Sequence, residues 1–234
     1  MTDFRPGDEV YSCLCNLASD GTYAEYVSVP AELVAKKPDT LTHDQAAAVP
    51  VAGITASLAL EKFGARTSSS IFITGAAGGV GILAMLARHQ GIEQLKATAG
   101  SAKSRAYLIE KCGMTSDNIV NYRDDDFIAH AISSNGGPFD CVLDNVGGAM
   151  LSACCQLLAV DGYLASITDA QSQGDFEHLF HRNASFHAVG GNAYSLMGSG
   201  STGKNIRPSC ENWRSCSIAA LCAQPTLRTS DHFQ

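Results

Sequence analysis

Seven residues carry the strongest chemical signal in the chain: Gly75-Ala-Ala-Gly78-Gly79-Val80-Gly81. An apolar run, residues 70–74, precedes them, and a helix-compatible stretch, residues 80–90, follows. A strand that ends in a glycine turn and opens a helix makes an anion site. Glycines let the backbone approach a pyrophosphate, and the first N–H groups of the helix point at it. The spacing here is G-x-x-G-x-x-G, so the flanking strand and helix carry the argument more than the motif alone.

The end of the next expected strand discriminates between cofactors. An NAD site places an acid there for the ribose hydroxyls. This chain has Ala99-Gly100-Ser101-Ala102-Lys103-Ser104-Arg105, without a carboxylate and with two cations. That pattern suits a 2′-phosphate, hence NADP, with Ser101 and Lys103 or Arg105 as its contacts. The competing reading is an ordinary solvated helix start.

These residues need a scaffold, and the chain supplies one. From residue 69 strand and helix patterns alternate. Strands are expected over 70–74, 95–99, 119–122, 139–144 and 163–167, with a sixth at 186–189. Helices are expected over 80–90, 102–112, 126–133 and 149–159. Alternation at this spacing argues an α/β fold with a doubly wound parallel sheet. Upstream, Pro6-Gly7-Asp8 is a turn, Glu9-Val10-Tyr11 starts a strand, and residues 23–29 alternate as a half-buried strand does. Thr42 with Gln45 three residues on reads as a capping box. Pro50 interrupts the helical run, and a second helix is expected over 54–63, ending at Gly64. Residues 197–203 are rich in Gly and Ser, and 204–234 show no clear period.

Composition limits the function classes. Hydrophobic residues are 45% of 234, enough for a core, and charged residues are 17%. A net charge of −7 disfavours a nucleic-acid partner. No run approaches the ~20 apolar residues of a membrane span, and the polar first residues are no signal peptide, so a cytoplasmic protein is expected. The 9 cysteines show no zinc-knuckle spacing and read mostly as buried or idle thiols.

Four segments together resemble the zinc-independent quinone oxidoreductase and enoyl reductase branch of the medium-chain dehydrogenase/reductase superfamily. They are Pro6-Gly7-Asp8-Glu9-Val10-Tyr11 with Gly21-Thr22-Tyr23-Ala24-Glu25-Tyr26, then Gln45-Ala46-Ala47-Ala48-Val49-Pro50-Val51-Ala52-Gly53-Ile54-Thr55-Ala56, the glycine loop, and Phe139-Asp140-Cys141-Val142-Leu143-Asp144-Asn145-Val146-Gly147-Gly148. The resemblance implies a partial GroES-like β-barrel over 1–42, a Rossmann domain over 43–197 and a divergent tail over 198–234. It implies NADPH-dependent hydride transfer to a quinone or an α,β-unsaturated carbonyl. Ala77, Gly78, Gly79, Val80 and Gly81 would cradle the pyrophosphate. Tyr122 would border the adenosine phosphate pocket, Asn145 would touch the cofactor, and Thr55 would approach the nicotinamide. The alternatives are a sheet cap for Tyr122 and a turn hydrogen bond for Asn145.

Zinc enzymes of this superfamily insert a four-cysteine lobe between the Gly-Asp-Glu-Val turn and the Ala-Glu-Tyr strand. Only Cys13 and Cys15 lie there in this chain, and no Gly-His-Glu motif occurs. No metal is therefore expected. Relative to the family pattern the chain is expected to be trimmed at both ends. The rival functions are an NADP-binding module without efficient turnover, and a fragment that pairs with a partner chain through its barrel edge. A homodimer is the corresponding oligomeric reading.

Overall fold

The computed structural model describes residues 4–14, 21–29, 31–64, 69–85, 91–168 and 176–190. The expected helical residues 86–90, the loop 197–203 and the tail 204–234 lie outside them. The chain divides into two compact units between Ile54 and Thr55.

The first unit holds two short antiparallel strands, β1 (Val10–Ser12) and β2 (Val34–Lys36), with Val10 opposite Lys36. Helix α1 (His43–Ala47) starts at the expected capping box: the Thr42 hydroxyl accepts from the Gln45 amide, and the Gln45 side chain accepts from the Thr42 amide. Lys37 is buried, and its ammonium donates to the Leu41 and Pro38 carbonyls at 2.6 and 3.2 Å while facing Glu9 at 3.1 Å. His43 reaches the same Glu9 carboxylate, also at 3.1 Å.

The expected strand over 23–29 does not form. Tyr23 and Tyr26 are fully or almost fully exposed, and among the described residues no strand runs beside this segment. Alternation marks a half-buried ribbon only when a neighbour takes up its N–H and C=O groups. The second helix, α2 (Pro50–Phe63), starts four residues earlier than expected. Proline lacks an N–H that the first helical position would not use, so Pro50 opens this helix rather than breaking it.

The second unit contains a six-stranded parallel sheet. Its strands are β3 (Ile71–Ile73), β4 (Leu95–Thr98), β5 (Ile119–Val120), β6 (Phe139–Asp144), β7 (Leu158–Ser166) and β8 (Ser185–Ala188). They lie in the order β5-β4-β3-β6-β7-β8. The crossover helices are α3 (Gly79–Ala84), α4 (Ala102–Glu110), α5 (Phe127–Asn135) and α6 (Ala149–Leu157). A further helix, α7 (Phe176–His181), precedes β8 and was not anticipated from the sequence.

Ile71, Phe72 and Ile73 are all fully buried, as strands covered on both faces require. The core gathers Phe72, Phe139, Leu151, Leu157, Leu158 and Leu164, with the Phe72 and Phe139 rings 5.0 Å apart. The expected helix over 149–159 ends two residues short, because β7 begins at Leu158. Its pairing with β6 slips between Phe139 and Cys141, and Asp161 in the slip takes φ 60. The Asp161 carboxylate accepts from the Asn183 amide at 2.6 Å, which holds that bend.

Candidate cofactor site

Strand order reverses between β3 and β6. From β3 the chain moves out through β4 to β5, and from β6 through β7 to β8. Loops beyond the carboxyl ends of two such strands diverge and leave a crevice. Here those loops are the Gly75–Gly81 turn and the Asn145-Val146-Gly147-Gly148 turn.

The glycine loop is built from β3 outward. Thr74 donates its amide to the Leu143 carbonyl at 2.9 Å, and Gly75 donates to the Thr98 hydroxyl of β4 at 3.1 Å. Gly75 takes φ 56, the left-handed region. Gly78 donates to the Gly75 carbonyl at 3.0 Å and opens α3 with φ −86. No side chain caps that helix start, and no acid lies in its first turn. Uncapped N–H groups there suit an anion. Gly78 and Gly79 are exposed and Ala77 and Val80 half-buried, whereas Gly81 is buried. A β-carbon on Gly81 would stand 2.6 Å from Ala76 Cα and from the Gly75 carbonyl oxygen. The loop thus has an open lip at Gly78-Gly79 and a tightly packed root at Gly81.

At the end of β4 lies a depression of about 220 Å³ lined by Ala99, Gly100, Ser101, Ala102, Arg105 and Asn121. Ser101 caps α4: its hydroxyl accepts from the Ser104 amide at 3.1 Å, and Ser104 Oγ accepts from the Ser101 amide at 3.2 Å. The two cations separate clearly. The Arg105 guanidinium donates to the Ile119 and Ser116 carbonyls and to Ser116 Oγ, at 3.0, 2.9 and 2.7 Å. Lys103 is exposed and makes no ion pair or hydrogen bond among the described residues. Tyr122 follows β5, lies across Gly100, and carries the Arg123 guanidinium 5.7 Å from its ring centroid.

The β6 turn is organised by Asp144, which is fully buried. Its Oδ1 accepts from the Thr74 hydroxyl at 3.2 Å and from the Val146 and Gly147 amides at 3.0 Å. Its Oδ2 accepts from the Gly147 amide at 3.1 Å and from the Ser166 hydroxyl at 3.0 Å. A buried carboxylate needs such donors to be tolerated. They tie the ends of β3, β6 and β7 together. Asn145 donates its backbone N–H to Thr74 Oγ1 at 3.0 Å and its side-chain N–H to the Thr74 carbonyl at 2.7 Å. The turn hydrogen bond considered for Asn145 therefore exists. Its Oδ1, however, is buried with no hydrogen-bond partner among the described residues. Beneath the turn, burial and then the neighbouring Asp144 push the Cys154 thiol well above its ordinary range.

Thr55 is half-buried in α2. The sequence pointed to Ser101, Tyr122 and Asn145 but missed the Asp144 hub and Asn121. The signal for Asp144 was an acid closing an otherwise apolar strand, Cys141-Val142-Leu143-Asp144. Among the described residues, no group of three or more His, Cys, Asp or Glu side chains could hold a metal ion, and no helix is long and apolar enough to cross a membrane.

Fold and crevice define a Rossmann-like α/β domain with a crevice at its switch point. Comparison with known proteins narrows the class. The zinc-binding dehydrogenase family model matches residues 115–208. The mitochondrial NAD(P)H oxidoreductase RTN4IP1 of Bos taurus is 36% identical over 156 residues, covering 62% of this chain and 36% of that protein. The reducing polyketide synthase hmp8 of Hypomyces subiculosus is 35% identical over 169 residues, covering 71% of this chain and 7% of that protein. The quinone oxidoreductase of Thermus thermophilus, solved also with NADPH, superposes with a TM-score of 0.59 at 27% identity, covering 70% of this chain and 52% of that one. The chain is thus similar to zinc-binding dehydrogenases, to an NAD(P)H oxidoreductase, to a reducing polyketide synthase and, in fold, to a quinone oxidoreductase. It spans about a third of the oxidoreductase it matches, and a small part of the synthase.

Proposed function

We propose that this chain binds NADPH and supports hydride transfer to a quinone or an α,β-unsaturated carbonyl. The observation that carries the cofactor part is the strand end at Gly100. The position carries no carboxylate, and a side chain there would have to displace the ring of Tyr122 that lies across it. Beside it lies the depression lined by Ser101 and Ala102, and the helix these residues open carries the exposed Lys103, which makes no ion pair or hydrogen bond among the described residues. Charge-assisted hydrogen bonds to a phosphate contribute ~1.5 to 3 kcal/mol each.

The residues present fit the group. Gly78 and Gly79 offer an open lip without β-carbons, with Ala77, Val80 and Gly81 completing the cradle for the pyrophosphate. Ser101 and Lys103 hold the 2′-phosphate. Arg105 shapes the floor, because its donors already serve Ser116 and Ile119. Tyr122 borders the adenosine pocket. Asn145 accepts a hydrogen bond from the other half of the cofactor, and Thr55 approaches the nicotinamide. When bound, the cofactor supplies the hydride, while the protein orients it and selects the acceptor. The reaction needs no metal in this reading.

Fluorescence titration with NADPH and NADH tests the cofactor assignment. A preference of about tenfold or more for NADPH is expected from one such phosphate contact, and equal affinities sink it. NADPH consumption with a panel of quinones and enones tests the substrate class. Elemental analysis of the purified chain should show far less than one zinc per molecule.

A further inference from the structure

We propose that Thr74 and Asp144 are positioning residues that decide which atom of Asn145 meets the cofactor. The inference rests on the cofactor reading above and goes beyond it, from the contact to the device that sets its polarity.

An asparagine amide presents a donor at one end and an acceptor at the other, and the two ends have nearly the same shape. Here the choice is forced. The Thr74 carbonyl can only accept, and it lies 2.7 Å from Asn145 Nδ2. Nδ2 must therefore face β3, and Oδ1 must face away from that contact. That oxygen is buried and lacks a donor among the described residues. Its natural complement is an O–H or N–H group. The nicotinamide half of a dinucleotide offers both, as ribose hydroxyls and a carboxamide.

The Thr74 carbonyl is itself held in place. The Thr74 hydroxyl faces two acceptors, Asp144 Oδ1 at 3.2 Å and the Leu143 carbonyl at 3.4 Å; the nearer, charged carboxylate takes its hydrogen, and its lone pairs accept the Asn145 amide. Asp144 closes the turn on the far side through the Val146 and Gly147 amides, and Ser166 anchors it from β7. The carboxylate can only accept, so every hydrogen in this chain of bonds runs toward it. Asp144 fixes the direction of the Thr74 hydroxyl, the hydroxyl fixes the Asn145 backbone, and the Thr74 carbonyl fixes the amide.

The position along the crevice limits what this network touches. Asn145 follows β6, whereas the depression at Ser101 follows β4, on the opposite side of β3. A dinucleotide crossing the switch point lays its two halves over the two sides. The network should therefore affect one half only.

Calorimetric titration of the full chain with NADPH and with adenosine 2′,5′-bisphosphate tests this. Thr74→Val keeps the shape and removes the hydroxyl. It should weaken NADPH by about tenfold, the scale of one well-placed hydrogen bond, and leave the bisphosphate within about twofold. Thr74→Ser should restore NADPH binding. Asn145→Ala, at a less buried position, should reproduce the split if Thr74→Val does not fold. Unchanged NADPH affinity in Asn145→Ala, or equal loss of both ligands in Thr74→Val, overturns the proposal. A wild-type chain that binds neither ligand overturns the cofactor reading, and the positioning roles fall with it.

Discussion

The ring of Tyr122 occupies the place where a side chain at residue 100 would begin: a β-carbon on Gly100 would overlap Tyr122 Cε1 and stand 2.6 Å from its hydroxyl oxygen. As the ring stands, a side chain at residue 100 and Tyr122 compete for the same space.

A substitution cycle exposes this coupling. Gly100→Ala should destabilise the chain by ~1 to 3 kcal/mol, the usual range for overpacking. The same change in a Tyr122→Ala background should have almost no effect. Urea unfolding of the four proteins measures the interaction. Additive effects would show that the ring swings aside freely.

The two ends of the glycine loop should separate in their response to a side chain. At Gly78 the backbone takes an ordinary φ of −86, and an added β-carbon would meet only the Gly75 carbonyl oxygen, at 3.2 Å. Gly78→Val should leave the fold intact and remove NADPH binding, since the branched side chain fills the lip. At Gly81 the obstacles are backbone atoms at 2.6 Å. Gly81→Ala should lower stability by ~1 to 3 kcal/mol or more even without ligand. Thermal unfolding and NADPH titration of both variants check the contrast. Within the loop the left-handed angle belongs to Gly75, while Gly78 takes extended backbone that any residue can adopt.

Acid should weaken the first unit through Glu9. Its hydrogen bond to Lys37, then that to His43, holds its carboxyl below the ordinary value of 4.5. A group whose folded pKa is depressed stabilises the fold above the unfolded value, and that contribution fades as pH falls through the folded one. Stability measured on descending from pH 4.5 should decline more steeply for the wild type than for Glu9→Gln. Parallel acid limbs would show that the carboxylate contributes nothing.

Thiol chemistry should sort by depth. Burial and then Asp140 push the Cys141 thiol up to about 12, and Cys154 and Cys155 are fully buried. The thiolate is the reactive form. Among the described cysteines, site-resolved alkylation of the folded chain at pH 8 should therefore modify half-buried Cys13 and Cys112 first. Cys141, Cys154 and Cys155 should react only on unfolding, and early labelling of Cys154 would contradict its placement under the β6 turn.

The sheet was legible because parallel strands covered on both faces are short apolar runs, as Ile71-Phe72-Ile73 and Cys141-Val142-Leu143 are. Thr42 and Gln45 announced a helix start from two residues because a capping box is local. Residues 23–29 misled, since alternation says which face is apolar but not whether a partner strand exists. The slip in β7 at Asp161 depends on Asn183, 22 residues away, and no local pattern encodes that. At the site, glycine spacing marked the turn from β3 into α3. The Asp144 network stayed hidden, because its members come from three strand ends that sequence distance keeps apart.

That separation bears on how the chain is made. Thr74 and Asn145 are 71 residues apart. At ribosomal rates of ~5 to 20 residues per second, β6 emerges roughly 4 to 14 s after β3. β4 arrives earlier and can pair with one side of β3. The other edge of this apolar strand must wait with its hydrogen-bonding groups unpaired. An unpaired apolar strand edge invites association with other chains. The interval between β3 and β6 is when the nascent chain is most exposed to aggregation. A chaperone acting on it would work in that window, before the Asp144 carboxylate can close over the Thr74 hydroxyl.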